Sequence, residues 1–171
     1  ILTRVPAPDV DAVAKRDGVL AVLAEDRTLA APSVRDIGAA LRGKWLAEAG
    51  GAGSIDRVMI GTVASDAASP YFGARERKCV VTRYDKTDIQ LAALNTDTDL
   101  LVLTGGGQPS PYLVDRVVGY RDDISVLLAE EDTVEAMRAI EALYATSRFE
   151  GQGKLERAVE LLDAAGVDIA I

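Results

Sequence analysis

Histidine is absent from the 171 residues, and cysteine occurs once, at Cys79. Without histidine there is no Ser-His triad, no imidazole general base and no histidine metal ligand. One cysteine excludes an internal disulfide framework and a cysteine-built zinc site. Cys79 lies in KCVVTR, an apolar run of strand character, where a thiol acts as a small buried hydrophobe. Long hydrophobic runs are also missing: none approaches the ~20 residues of a membrane span. No signal-peptide pattern opens the chain, and the expected compartment is the cytoplasm. Positive charge is scarce, with 19 Lys and Arg against 27 Asp and Glu and a net charge of -8. An acidic surface repels phosphate backbones, so nucleic acid is not an expected partner.

What is present suits one compact domain with an appendage. The chain is 49% hydrophobic, enough at this length for a core that needs no covalent staples. It opens on Ile1 rather than Met, which reads as a trimmed chain or a piece of a longer protein.

ILTRV and GVLAVLAEDRT read as strands around a short helical stretch, PAPDVDAVAKRDG, a small βαβ unit with Glu25 and Asp26 at its exit. APSVRDIGAALRGKWLAEAGG then predicts a helix capped by Ser33 with Asp36 at the third position. Val34, Ile37, Leu41 and Trp45 share one face of it, and Gly50 and Gly51 end it. From about Arg57, strands and helices alternate: strand Met59–Val63, loop ASPYFGARERK with room for a short helix, strand KCVVTR, helix from YDKTDIQLAALN, strand DLLVLT, helix SPYLVDRVVGY, strand DISVLLA, helix EDTVEAMRAIEALYA. Leu113, Val117 and Tyr120 are spaced for one helical face. Val134, Met137, Ile140 and Leu143 or Tyr144 form a second stripe. Leu155, Val159 and Leu162 form a third, on a closing helix. The expected fold is α/β, with a central, largely parallel sheet flanked by helices. LLVL and VLL, apolar without alternation, suit strands covered on both faces. Boundaries are expected near 1–31, 32–146 and 147–171.

GAALRGKW spells the beginning of a Walker loop, but Trp45 stands where Ser or Thr would meet magnesium, and no strand precedes it. Gly38 there reads as a close-packing position and Trp45 as a cover over the core edge.

In LLVLTGGGQPSP, Thr104, Gly105, Gly106 and Gly107 leave a buried strand for a helix beginning near Ser110. Two readings stand. Free N–H groups at a strand's carboxyl end beside a helix N-terminus can cradle a phosphate. Alternatively, the glycines permit positive φ or close chain approach in a plain βα turn. No lysine follows in the loop, and Pro109 and Pro111 remove two donors. RYDKTDIQLAAL places Arg83, Asp85 and Lys86 at the same sheet edge if the two strands are parallel. Lys86 could hold a phosphate there, or the trio could form an ion pair or a dimer contact. Asp85 or Thr87 is expected to cap the following helix. Glu130, Glu131, Asp132 and Thr133 read as a capping cluster; their carboxylates have no fixed geometry for magnesium. Tyr112, Tyr120 and Tyr144 read as packing residues.

YDKTDIQLAAL followed by LLVLTGGGQPSP resembles the DRTGG domain, named for an Asp-Arg and a Thr-Gly-Gly. Asp85 is the Asp; Thr104, Gly105 and Gly106 are the Thr-Gly-Gly. Lys86 stands for the family's Arg and loses its planar fork. The likeness covers roughly Pro32 to Ala145. ILTRVP…GVLAVLAEDRTLAAPSV is similar to the end of a dethiobiotin-synthetase-like P-loop domain, as found in phosphotransacetylase-like proteins, and SRFEGQGKLERAVELLDAAGVD resembles their closing helix. The resemblance implies a regulatory or dimerisation module with no catalytic residue, metal or cofactor of its own. It also implies a homodimer, and, as the alternative, a sensor that binds a nucleotide or phosphorylated metabolite at Arg83, Asp85, Lys86, Thr104, Gly105, Gly106 and Gly107. Related domains accompany adenine-nucleotide-sensing modules in regulated pyrophosphatases.

Overall fold

The computed structural model describes residues 1–50, 53–120, 123–144 and 146–167. The chain divides into two compact units, one of Ile1–Ala30 with Arg148–Ile171 and one of Ala31–Ser147.

The first unit begins with strand β1 (Leu2–Val5), a 3-10 turn at Ala7–Asp9 and helix α1 (Val10–Ala14). Strand β2 (Val22–Ala24) lies parallel to β1, as the βαβ reading requires. Helix α2 (Arg27–Ala30) follows, and the Asp26 carboxylate accepts from the Leu29 amide at 3.1 Å.

In the second unit, helix α3 (Val34–Leu41) is capped as expected. Ser33 Oγ accepts from the Asp36 amide at 3.1 Å, and the Asp36 carboxylate accepts from the Ser33 amide at 3.0 Å. The helix then stops at Leu41, about one turn before the Trp45 that its apolar spacing includes. Arg42 adopts a left-handed conformation (φ 46°), and strand β3 (Lys44–Ala47) follows. Trp45 is therefore on a strand, not on the helical face read for it. Gly43 makes the reversal possible, because a Cβ there would sit 2.6 Å from the Leu128 carbonyl oxygen. Trp45 still covers the core edge: its indole lies where a Gly38 side chain would be. Helix-then-strand is the reverse of the order a Walker loop needs. Of the two glycines expected to end that element, Gly51 lies outside the described residues.

Strand β4 (Arg57–Ile60), helix α4 (Ser65–Gly73), strand β5 (Lys78–Arg83), helix α5 (Thr87–Leu94), strand β6 (Thr98–Thr104), helix α6 (Pro111–Tyr120), strand β7 (Ser125–Leu128) and helix α7 (Thr133–Leu143) complete this unit. The sheet order is β3-β7-β6-β5-β4. β4 to β7 are parallel neighbours in chain order, and β3 adds an antiparallel edge beside β7. Alternate strand residues serve two cores. Val80, Leu101, Leu103 and Val126 pack with Phe72 of α4, Ile89 and Ala93 of α5, and Leu113 and Val117 of α6. Cys79, Val81, Leu100, Val102 and Leu127 pack with Ile37 and Leu41 of α3 and Ala136 and Ile140 of α7. Burial on both faces explains the unbroken apolar runs.

The stripe read for α7 is shifted. Val134 is exposed, and the buried residues are Ala136 and Ile140, with Met137, Leu143 and Tyr144 at the rim of the core. The Tyr144 hydroxyl donates to the Ile55 carbonyl at 2.6 Å. Tyr112 is 59% exposed rather than packed, and the Tyr120 side chain lies outside the described residues.

Helix α8 (Gln152–Ala164) belongs to the first unit. Its expected inner face is turned outward: Leu155 is 51% and Val159 38% exposed. Instead Lys154 is buried, its Nζ donating to the Arg148 carbonyl at 2.6 Å, and Arg157 pairs with Asp26 at 2.9 Å. These polar anchors orient the helix differently from its Leu-Val-Leu spacing.

Candidate functional site

Three parallel strands deliver the motif loops to one sheet edge. Arg83, the last residue of β5, is in register with Thr104, the last of β6, and Leu103 with Leu128 at the end of β7. The helix after β6 packs on one face of the sheet and the helix after β7 on the other. Such a divergence opens a crevice at the carboxyl ends of the strands, where ligands of α/β proteins bind.

Here the glycine loop bridges that crevice. The Gly105 amide donates to the Glu131 carbonyl at 2.8 Å and the Gly106 amide to the Ala129 carbonyl at 3.0 Å. Both glycines have positive φ, 91° and 62°. A Cβ on Gly106 would collide with the Glu130 carboxylate. Thr104 is fully buried, with its hydroxyl 3.3 Å from the Thr82 carbonyl and 2.9 Å from the Thr133 hydroxyl. The Thr-Gly-Gly sequence thus ties β5, β6 and the start of α7 together.

The YDK loop is joined to the same structure. The Tyr84 amide donates to the Thr104 carbonyl at 3.1 Å. Its ring covers the glycines, 3.4 Å from a Cβ position on Gly105 and directly over Gly107. No local pattern marks Tyr84 for this role, although it directly precedes Asp85. Gln90, fully buried on α5, holds the end of β5 by donating from Nε2 to the Arg83 carbonyl at 2.7 Å.

The charged trio separates. Arg83 and Asp85 form a two-pronged pair, at 3.1 and 2.8 Å, on the exposed surface. Asp85 therefore does not cap α5. Lys86 occupies the N-cap position without a side-chain bond, and Thr87 is already the first helical residue. Lys86 is exposed, and its ammonium has no partner among the described residues. At the β7 exit, Asp132 caps α7 by accepting from the Val134 and Glu135 amides at 2.8 and 2.9 Å.

Beside the glycine loop lies a cleft of about 530 Å³, between α6, the end of β7 and the edge strand β3. Gly106, Gly107 and Gln108 form one wall, Val114 and Asp115 another, and Lys44 stands on β3. Of the seven residues expected to bind a ligand, only Gly106 and Gly107 line it. Lys44 is a cation at this cleft that no motif of the sequence marks. Its pairing with Leu128 across β3 and β7 brings it here, and no local pattern signals that pairing.

At the opposite edge, buried charges are structural in character. Lys78 is fully buried; its Nζ donates to the Arg75 carbonyl at 2.9 Å and to the Asp97 carbonyl. Burial pulls the Lys78 pKa down, opposed by Asp97, Asp99 and Glu76. Burial, and then the Asp97 charge, push the Asp99 carboxyl up, opposed by Lys78. Burial also pushes the Cys79 thiol well above its ordinary range. Among the described residues, no helix is long and apolar enough to cross a membrane.

The DRTGG domain family matches residues 36–143. The fold is similar to the crystal structure of the CBS and DRTGG domains of the regulatory region of Clostridium perfringens pyrophosphatase, complexed with the activator diadenosine tetraphosphate. That similarity has a TM-score of 0.56 at 14% identity and covers 90% of this chain and 68% of the other. The alternating α/β unit with its Thr-Gly-Gly loop, and the family match across most of that unit, lead to one conclusion: the chain belongs to the DRTGG domain family.

Proposed function

We propose that this chain is a non-catalytic regulatory and dimerisation module of a phosphotransacetylase-like protein. The observation that carries the reading is the engagement of the Thr-Gly-Gly groups. The Thr104 hydroxyl and the Gly105 and Gly106 amides bond within the domain, where an active loop would present them to substrate. A loop bonded this way couples β5 and α7 through the sheet edge and suits the transmission of a conformational signal. The sequence agrees, with no histidine and no complete Walker loop.

A sensor of nucleotides or phosphorylated metabolites is the second reading, with Arg83, Asp85, Lys86, Thr104, Gly105, Gly106 and Gly107 as its candidate residues. The cleft against Gly106 and Gly107 favours it, since about 530 Å³ falls within the small-molecule range. Thermal unfolding with nucleotides and acyl phosphates separates the two. A sensor at ~100 times Kd gains about 2.7 kcal/mol and melts higher; a scaffold melts at the same temperature throughout.

A further inference from the structure

We infer that the cleft beside Gly107 binds a small molecule carrying a single phosphate on an apolar body, with Lys44 as the cation that meets the phosphate. The inference rests on the sensor reading and moves its centre from Lys86 to Lys44. Three features of the cleft carry it. First, the Lys44 ammonium is exposed at the cleft and has no partner among the described residues. Second, Gly107 and Gln108 line the same cleft, and their amides, unlike those of Gly105 and Gly106, take no partner among the described residues. An ammonium and loop amides together match a phosphate's several acceptor oxygens. Third, Val114 and Leu128 give the remaining wall an apolar surface. The cleft also adjoins the β6–β7 divergence, where α/β folds place ligands.

Charge limits the ligand further. Asp115 lines the cleft, and the chain carries a net charge of -8. One lysine offsets only part of the charge of about -1.5 to -2 on one phosphate monoester, and additional phosphates face a negative field. A polyphosphate therefore gains nothing over a monophosphate.

The test uses the full chain, 15N-labelled, with AMP, ATP and inorganic phosphate as probes, and compares Lys44→Ala with Lys86→Ala. Both lysines are exposed, so both variants should fold. AMP is expected to shift the Gly107 and Gln108 amide resonances. Lys44→Ala should weaken AMP about tenfold, the loss of one charge-assisted contact, and Lys86→Ala should leave it unchanged. ATP should bind no tighter than AMP, and inorganic phosphate more weakly. Shifts confined to residues 83–86, or weakening by Lys86→Ala alone, overturn the cleft and leave the sensor reading standing. Phosphate binding as tightly as AMP, or ATP binding much tighter, overturns the ligand class. No response to any probe overturns the cleft, and the sensor reading falls as well only if acyl phosphates also leave the thermal unfolding unchanged.

Discussion

Glycine at 105, 106 and 107 serves two needs in three combinations. Gly105 and Gly106 hold positive φ, and Gly106 and Gly107 leave no room for a Cβ. Gly106→Val should cost about 1–3 kcal/mol in urea unfolding, through backbone strain and collision with Glu130. At Gly107 the obstacle is the Tyr84 ring. Gly107→Ala should therefore be destabilising in the native background and markedly less so beside Tyr84→Ala, a coupling that a double-mutant cycle reads directly. Asp99 makes a pH prediction. Its folded pKa lies above the ordinary 3.8, so the native state holds its proton longer than the unfolded chain. Its contribution to stability is fullest at low pH and declines as pH rises from about 3.8 through the folded value. Asp99→Asn should remove that decline from the stability-pH profile. The Cys79 thiol, fully buried with its pKa raised, should resist thiol reagents until the protein unfolds.

Helix caps were the element-scale features most open to sequence reading. Ser33 with Asp36 forms the expected box, and Asp132 with Glu135 forms another at α7. Asp132→Ala should lower stability by about 1 kcal/mol, measured by chemical denaturation. Periodicity was less reliable where a strand could continue a helical pattern. Trp45 has helical spacing from Leu41, yet a left-handed Arg42 and the tight approach of Gly43 to β7 turn the chain into β3. In α8, Leu155, Val159 and Leu162 suggested the buried face, but the anchoring of Lys154 and Arg157 decided the orientation. Local hydrophobic spacing identifies a helix; which side is covered depends on its neighbours.

At the scale of the whole molecule, dimerisation is part of the proposed function. Sedimentation equilibrium at micromolar concentration should give about twice the 18.1 kDa chain mass, and a pure 18.1 kDa species would refute it. The Ala31–Ser147 unit contains the five-stranded sheet and both of its cores. Expressed alone, that segment should show one cooperative unfolding transition, followed by circular dichroism.

The order of residues along the chain carries the α/β alternation, because apolar strand runs, helical spacing and caps are local consequences of backbone geometry. It also located the Thr-Gly-Gly turn and placed the YDK loop at the same edge, since consecutive parallel strands present their carboxyl ends together. Tertiary structure decided how those loops are used. Whether a glycine amide is free or bonded depends on Ala129 and Glu131, more than twenty residues away in the chain. Lys44 reaches the cleft only because an antiparallel strand formed 84 positions earlier pairs with Leu128. Such long-range pairing is selected by the packing of the whole sheet, and no short stretch of sequence encodes it.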